Sequence, residues 1–260
     1  MAIVTTSGIL LRSMNYSETS KILRVFTSDY GLTSVIAKGI RRKKISGGQG
    51  LELFSQGEIT FYEKKSGSLH LFKEFSLHKT GRTLGENILR FTAASILGEI
   101  VLVQGTNEKN RNVYEQLRIG LDSMEKSPER LIITNLLKKA WILVATLGYQ
   151  PEIAHCIHCG KKLEIEEIGK FDLQAGGIIC SSCGSDKFGP RLGPIARSQL
   201  RGFFTNERID SVRGQRGHLI LLRDFIDYHL TESAGLKSFD VLSSLLDHAE
   251  ESQIEGQVDM

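Results

Sequence analysis

The chain has 260 residues, 40% of them hydrophobic and 24% charged, the composition of a soluble globular protein with room for one large or roughly two to three small domains. No apolar run approaches the ~20 residues of a membrane span, the longest, Trp141 to Leu147, being far too short. The net charge of +3 is unevenly spread: residues 1–80 hold 12 Lys and Arg against 6 Asp and Glu, and residues 231–260 hold 1 against 7, so a polyanion is expected to meet the first 80 residues.

Those residues read as strands. Ser7–Ser13, Ser20–Thr27 and Leu32–Lys38 alternate or are β-branched, with Asp29-Tyr30-Gly31 as a hairpin turn, and Glu58–Lys64 and Leu69–Leu77 follow. Five short strands in about 75 residues imply a small closed barrel, either the OB-fold that binds nucleic acid or an SH3-like barrel. Between the third and fourth strands lies Lys38-Gly-Ile-Arg41-Arg42-Lys43-Lys44, followed by Gly47, Gly48 and Gly50. Four consecutive cations repel each other and the glycines resist ordering, so this reads as a mobile loop whose basic residues contact phosphate. Phe54, Phe61 and Tyr62 are offered as aromatics for base stacking, against the ordinary fate of a barrel aromatic in the core.

From about Gly81 the apolar period changes from two to near 3.6. Asn87–Val103 reads as a largely buried helix and Arg111–Glu125 as a surface helix; Ser127 as N-cap and Pro128 as first helical residue start another, which Gly148 stops. Beyond the cysteine region a helical pattern resumes at Pro194–Phe204, Leu219–Leu230 and Leu236–His248, and the acidic remainder reads as disordered.

All four cysteines fall in two matched pairs, Cys156-Ile-His-Cys159 and Cys180-Ser-Ser-Cys183, each followed by glycine. Two thiolates two residues apart turn toward one ion, and two such knuckles complete the tetrahedral sulfur shell that Zn²⁺ favours. Iron is the alternative metal, and disulfides are disfavoured because the N-terminus has neither a basic leader nor an apolar stretch and reads as cytoplasmic. His155 and His158 read as loop residues beside the site. A four-thiolate shell leaves no position for water, so one structural ion per chain is expected. Leu163–Ile168, Lys170–Leu173 and Gly176–Ile179 read as short strands of this module.

No Walker loop, G-x-G-x-x-G, H-E-x-x-H or G-x-S-x-G occurs. No His-x-Glu precedes either cysteine pair, as a zinc deaminase requires. These absences favour a binding protein over an enzyme. A zinc-ribbon factor that binds through the ribbon is disfavoured, since Lys161, Lys162 and Lys170 stand against Glu164, Glu166, Glu167 and Asp172.

The expected fold is α+β: an OB-fold barrel (1–80), a helical bundle (81–154 and 190–249), an inserted four-cysteine zinc-ribbon-like module (155–189) and an acidic tail (250–260). In that order of parts the chain resembles the RecO family of bacterial recombination mediators. The likeness is carried by Gly8-Ile-Leu-Leu-Arg12, Tyr16-Ser-Glu18, Phe26-Thr27, Gly31-Leu32 and Ala37-Lys38-Gly39-Ile-Arg41-Arg42, then by Leu147-Gly148-Tyr-Gln-Pro151 leading into the first knuckle and Gly176-Gly177 leading into the second. The resemblance implies a nucleoid-associated cytoplasmic protein, not an enzyme. It implies binding of single- and double-stranded DNA, annealing of complementary strands, and cooperation with RecR to load RecA on strands coated by the single-strand-binding protein SSB. It also implies that the helices bind the acidic SSB C-terminal tail. A tail ending in an apolar residue calls for a basic-rimmed apolar groove, with Arg90, Arg111, Arg118, Lys138 and Lys139 as candidate rim residues.

Overall fold

A computed structural model describes residues 2–41, 51–64, 69–104, 108–186, 188–205, 207, 209–231 and 235–258, with side chains to residue 248. Five strands close a barrel: β1 (Ala2–Asn15), β2 (Lys21–Thr27), β3 (Gly31–Ala37), β4 (Gln56–Glu63) and β5 (Leu69–Lys79). The order around it is β1-β2-β3-β5-β4, with β4 returning to β1 and every pairing antiparallel except β3 with β5. This is the Greek-key arrangement of an OB-fold, which decides between the two small barrels compatible with the strand pattern.

The period of two along each strand builds two separate cores. Leu23 and Val25 of β2 face inward with Leu10, Val35, Ile59, Phe61 and Phe75. Phe26 of β2 and Leu32 of β3 face outward and join a second core shared with the helices. A bulge between Leu10 and Arg12 interrupts the register of β1, and here Leu10 packs inside the barrel while Leu11 packs outside it. Phe54, just before β4, adopts a left-handed backbone with φ 67°, costly for a bulky residue. Its ring meets Phe91 at 5.7 Å.

The helices are α1 (Arg82–Gly85), α2 (Ile88–Gln104), α3 (Arg111–Lys126), α4 (Ile132–Thr146), α5 (Pro194–Phe204), α6 (Gln215–His229) and α7 (Lys237–Val258). Ser127 does not start α4 as the sequence suggests. Its hydroxyl donates to the Ser123 carbonyl at 2.6 Å and accepts from Asn135 Nδ2 at 2.7 Å. It therefore closes α3, and a short 3-10 turn (Glu129–Leu131) after Pro128 precedes α4. The α7 backbone stays helical to Val258, through most of the acidic stretch for which disorder is expected, because Glu, Ala and Gln are good helix formers. Trp141 of α4 is fully buried, 5.1 Å from Phe225 of α6.

Between α4 and α5 a small sheet forms from β6 (Gly169–Asp172), β7 (Gly177–Ile179) and β8 (Arg191–Leu192), in the order β7-β6-β8. The strand expected at Leu163–Ile168 is absent. The chain turns there instead, Glu167 N donating to the Glu164 carbonyl at 3.1 Å, and the Glu167 carboxylate accepts from Ser181 N and Oγ at 3.0 and 2.9 Å. Among the described residues no helix is long and apolar enough to cross a membrane.

Candidate metal centre and nucleic-acid interface

The four cysteine sulfurs gather into one cluster, all within 4.8 Å of one another. Cys159 Sγ and Cys180 Sγ are 3.9 Å apart and all four thiols are free. Four sulfurs at about 2.3 Å from a tetrahedral ion stand about 3.8 Å from each other, so the spacing fits a metal and is too long for a disulfide. Each knuckle turns back on itself, Gly160 N donating to the Cys156 carbonyl at 2.8 Å and Gly184 N to the Cys180 carbonyl at 2.9 Å. Gly160 takes φ +71°, a conformation a side chain would strain. Across the knuckles, Cys180 N donates to Cys156 Sγ at 3.3 Å.

These amides prepare the site electrically. Burial pushes the Cys156 thiol up, but N–H groups of Cys180, Cys159 and His158 outweigh it and bring the value down to about 6. Contacts with the Cys180 and Cys159 thiols push Cys183 up to about 12. Four sulfurs this close cannot all carry charge without a cation among them. Among the described residues the cluster contains cysteines only, and His155 lies outside it, 3.6 Å from Glu152.

The module is anchored to the helices. Cys156 and Cys180 are buried in the same core as Phe171, Ile178 and Phe225. Buried Arg197 of α5 donates to the carbonyls of Glu164 and Ile165, and His229 of α6 contacts the Leu173 carbonyl at 2.7 Å. Cysteines 24 residues apart thus meet at the edge of a helical core.

On the barrel, Lys38 and Arg41 are exposed just beyond β3, and Arg41 Nη1 donates to the Ser17 carbonyl at 3.0 Å. They therefore lie beside the β1–β2 turn. Arg42, Lys43 and Lys44 lie outside the described residues. Phe54 and Phe61, offered as stacking platforms, are instead buried at 3% and 1% exposure; Phe61 fills the barrel and Phe54 the seam against α2. Tyr62 is half-buried. Two cations absent from the candidates, Arg12 and Arg24, are direct cross-strand partners. Only the bulge after Leu10 sets that register, which the strand pattern does not reveal.

The five cations expected to rim a helical groove lie on α2, α3 and α4. Arg90 of α2 donates to the Ser127 carbonyl at 3.1 Å, Arg111 of α3 pairs with Asp29 at 2.6 Å, and Arg118 of α3 pairs with Glu115 and Asp122 at 2.9 and 3.3 Å. Lys138 of α4 donates to the Glu207 carbonyl at 3.2 Å. Lys139 is half-buried, and burial and then the Lys138 charge push its ammonium pKa down.

A family model described as the N-terminal part of recombination protein O matches residues 1–80, and one described as its C-terminal part matches residues 85–239. The DNA repair protein RecO of Bacillus pumilus is 28% identical over 241 residues, 90% of this chain and 90% of the relative. That of Desulfatibacillum aliphaticivorans is 30% identical over 247 residues, 87% and 92% of the two chains. That of Rubrobacter xylanophilus is 31% identical over 186 residues, 72% and 73%.

Proposed function

The chain belongs to the RecO family of DNA repair and recombination proteins, and on that premise we propose that it works by binding DNA and not by catalysis. It binds single and double strands, anneals complementary strands, and with RecR helps load RecA on single strands coated by SSB. The observation that carries this reading is the closed OB barrel whose cations Lys38 and Arg41 stand exposed beside the β1–β2 turn, continuing into the run Arg42, Lys43 and Lys44. A basic surface on such a barrel holds phosphate without reading bases. The four thiolates hold one Zn²⁺, which supplies structure and no chemistry because its shell is closed. Cys156 and Cys180 seat that shell in the core, and Cys159 and Cys183 close it from the more exposed side.

The acidic SSB tail docks on the helices. The cleft between α6 and α7 supports it, lined by apolar Leu219, Ile220, Leu242 and Leu246 with Arg223 and the Arg216–Asp247 pair at its rim. Arg223 pairs with Asp240 at 3.0 Å, an exposed contact that an acidic peptide can displace. The deciding experiment is annealing of complementary strands precoated with SSB. Acceleration by this protein is expected; equal rates with and without it rule out the mediator role. Tail-peptide affinity should fall several-fold in Arg223→Ala and stay unchanged in Arg118→Ala, and the reverse result moves the groove to α3.

A further inference from the structure

Arg12 of β1 and Arg24 of β2 face each other across the hairpin, which places their Cβ atoms about 5 Å apart. Like charges directly opposite one another repel. The influences on the Arg24 guanidinium are burial and then the Arg12 charge, both unfavourable to its cationic form, and Glu99, which lines the cleft beside both arginines, is engaged by Ser238. The Arg24 Nε is buried without a hydrogen-bond partner among the described residues. A paired cation that costs stability and leaves a donor unused suits an anion supplied from outside.

The surroundings define what kind of anion. Both arginines line a cleft of about 450 Å³ at the seam between barrel and helices, with Leu11, Phe91 and Leu102 among its apolar walls. The N-terminus of α7 also borders this cleft, but Ser238 N and Oγ are already given to the Glu99 carboxylate at 3.0 and 2.9 Å. The open donors are therefore the two guanidinium groups and the Lys237 ammonium, which also lines the cleft. On the neighbouring strand Arg24 pairs with Ser34 of β3, and exposed Lys38 stands four positions further on, about 13 Å, just beyond the end of that strand. A further exposed cation at that distance suits a chain of phosphates better than a lone carboxylate.

We propose that Arg12 and Arg24 form a phosphate clamp for single-stranded DNA, holding a backbone phosphate at the mouth of the seam so that the strand runs from the Lys38 end of the barrel toward the helices. The clamp rests on the single-strand-binding function above. Guanidinium forks bind phosphate oxygens in pairs, and the apolar walls beside them receive the sugar or base edge.

The test is binding of a fluorescent oligothymidylate to the full chain over a range of salt concentrations. Arg12→Gln/Arg24→Gln should flatten the slope of log K against log salt by about 0.7 to 1.4 units, one or two phosphates' worth. Arg12→Lys/Arg24→Lys should recover most of it, and Lys126→Gln, an exposed α3 lysine, should leave it unchanged. The glutamine pair should melt no lower than the unmodified protein, because it relieves repulsion; Arg12→Gln alone, at an exposed position, gives the same readout if the double variant unfolds. A wild-type slope in folded Arg12→Gln/Arg24→Gln, or an equal loss in Lys126→Gln, overturns the clamp while leaving DNA binding intact. An unmodified protein that binds no oligothymidylate overturns the DNA-binding function itself.

Discussion

Arg111, the first residue of α3, closes on Asp29 at the tip of the β2–β3 hairpin, its Nη2 and Nε lying 2.6 and 3.2 Å from the same carboxylate oxygen. The other oxygen accepts from Thr6 and Ser28, both at 2.8 Å. One aspartate thus joins β1, the hairpin tip and the first turn of a helix more than 80 positions away.

Removing this carboxylate in Asp29→Ala should destabilise the protein by about 1–2 kcal/mol, since several donors lose their acceptor. Arg111→Ala, which breaks one partly exposed pair, should cost at most about 1 kcal/mol. Hydrogen bonds from Arg111, then Ser28 and Thr6, hold the Asp29 carboxyl well below the usual carboxylate range. A lowered folded-state pKa means the contribution is complete above the unfolded value of about 3.9 and is lost as pH falls below it. Denaturant midpoints of the Asp29→Ala variant and the unmodified protein should therefore differ at pH 7 and converge below pH ~4; a gap independent of pH would show that Asp29 acts only through packing.

Gly81 lies where β5 gives way to α1, and a Cβ there would sit 1.8 Å from the Leu53 carbonyl oxygen. Its N–H also donates to Ser55 Oγ at 3.2 Å. Gly81→Ala must displace backbone and should cost about 2–4 kcal/mol. Thermal melting decides the matter, and a shift under 1 °C would show that the junction yields freely.

Gently purified protein should contain close to one zinc per chain by elemental analysis. Because Cys156 and Cys180 are part of the core that holds Phe225 and Trp141, Cys180→Ser or a strong chelator should lower the melting temperature of the whole helical part by several degrees. Metal-free protein with an unaltered melt would make the cluster dispensable.

Converting Arg41, Arg42, Lys43 and Lys44 to alanine should flatten the salt slope for single-stranded DNA by up to about 3 units, with similar loss for unrelated sequences, because the contact is to phosphate. The loss should add to that of the Arg12 and Arg24 substitutions if the two sets hold different phosphates. A folded quadruple variant with the wild-type slope would remove this run from the interface.

The sequence by itself determined what depends on neighbours a few positions apart. Two C-x2-C pairs announced one four-sulfur cluster because a knuckle is a local turn, and Pro194 with the apolar period after it marked α5 at the bounds it has in the structure. The five strands were legible because each either alternates or is rich in β-branched residues between turn signals. Tertiary structure alone decided which partner each face meets. Phe54 and Phe61 were indistinguishable from exposed platforms until the barrel buried one inside and α2 covered the other. Ser127 looked like a helix start, and only Asn135 and the Ser123 carbonyl show that it ends the helix before. Arg12 met Arg24 because a single bulge set the register, and Arg111 met Asp29 because the bundle packs on the hairpin tip. Periodicity and ligand spacing are short-range and written in the chain; register and docking depend on contacts between distant residues, whose closure no local pattern specifies.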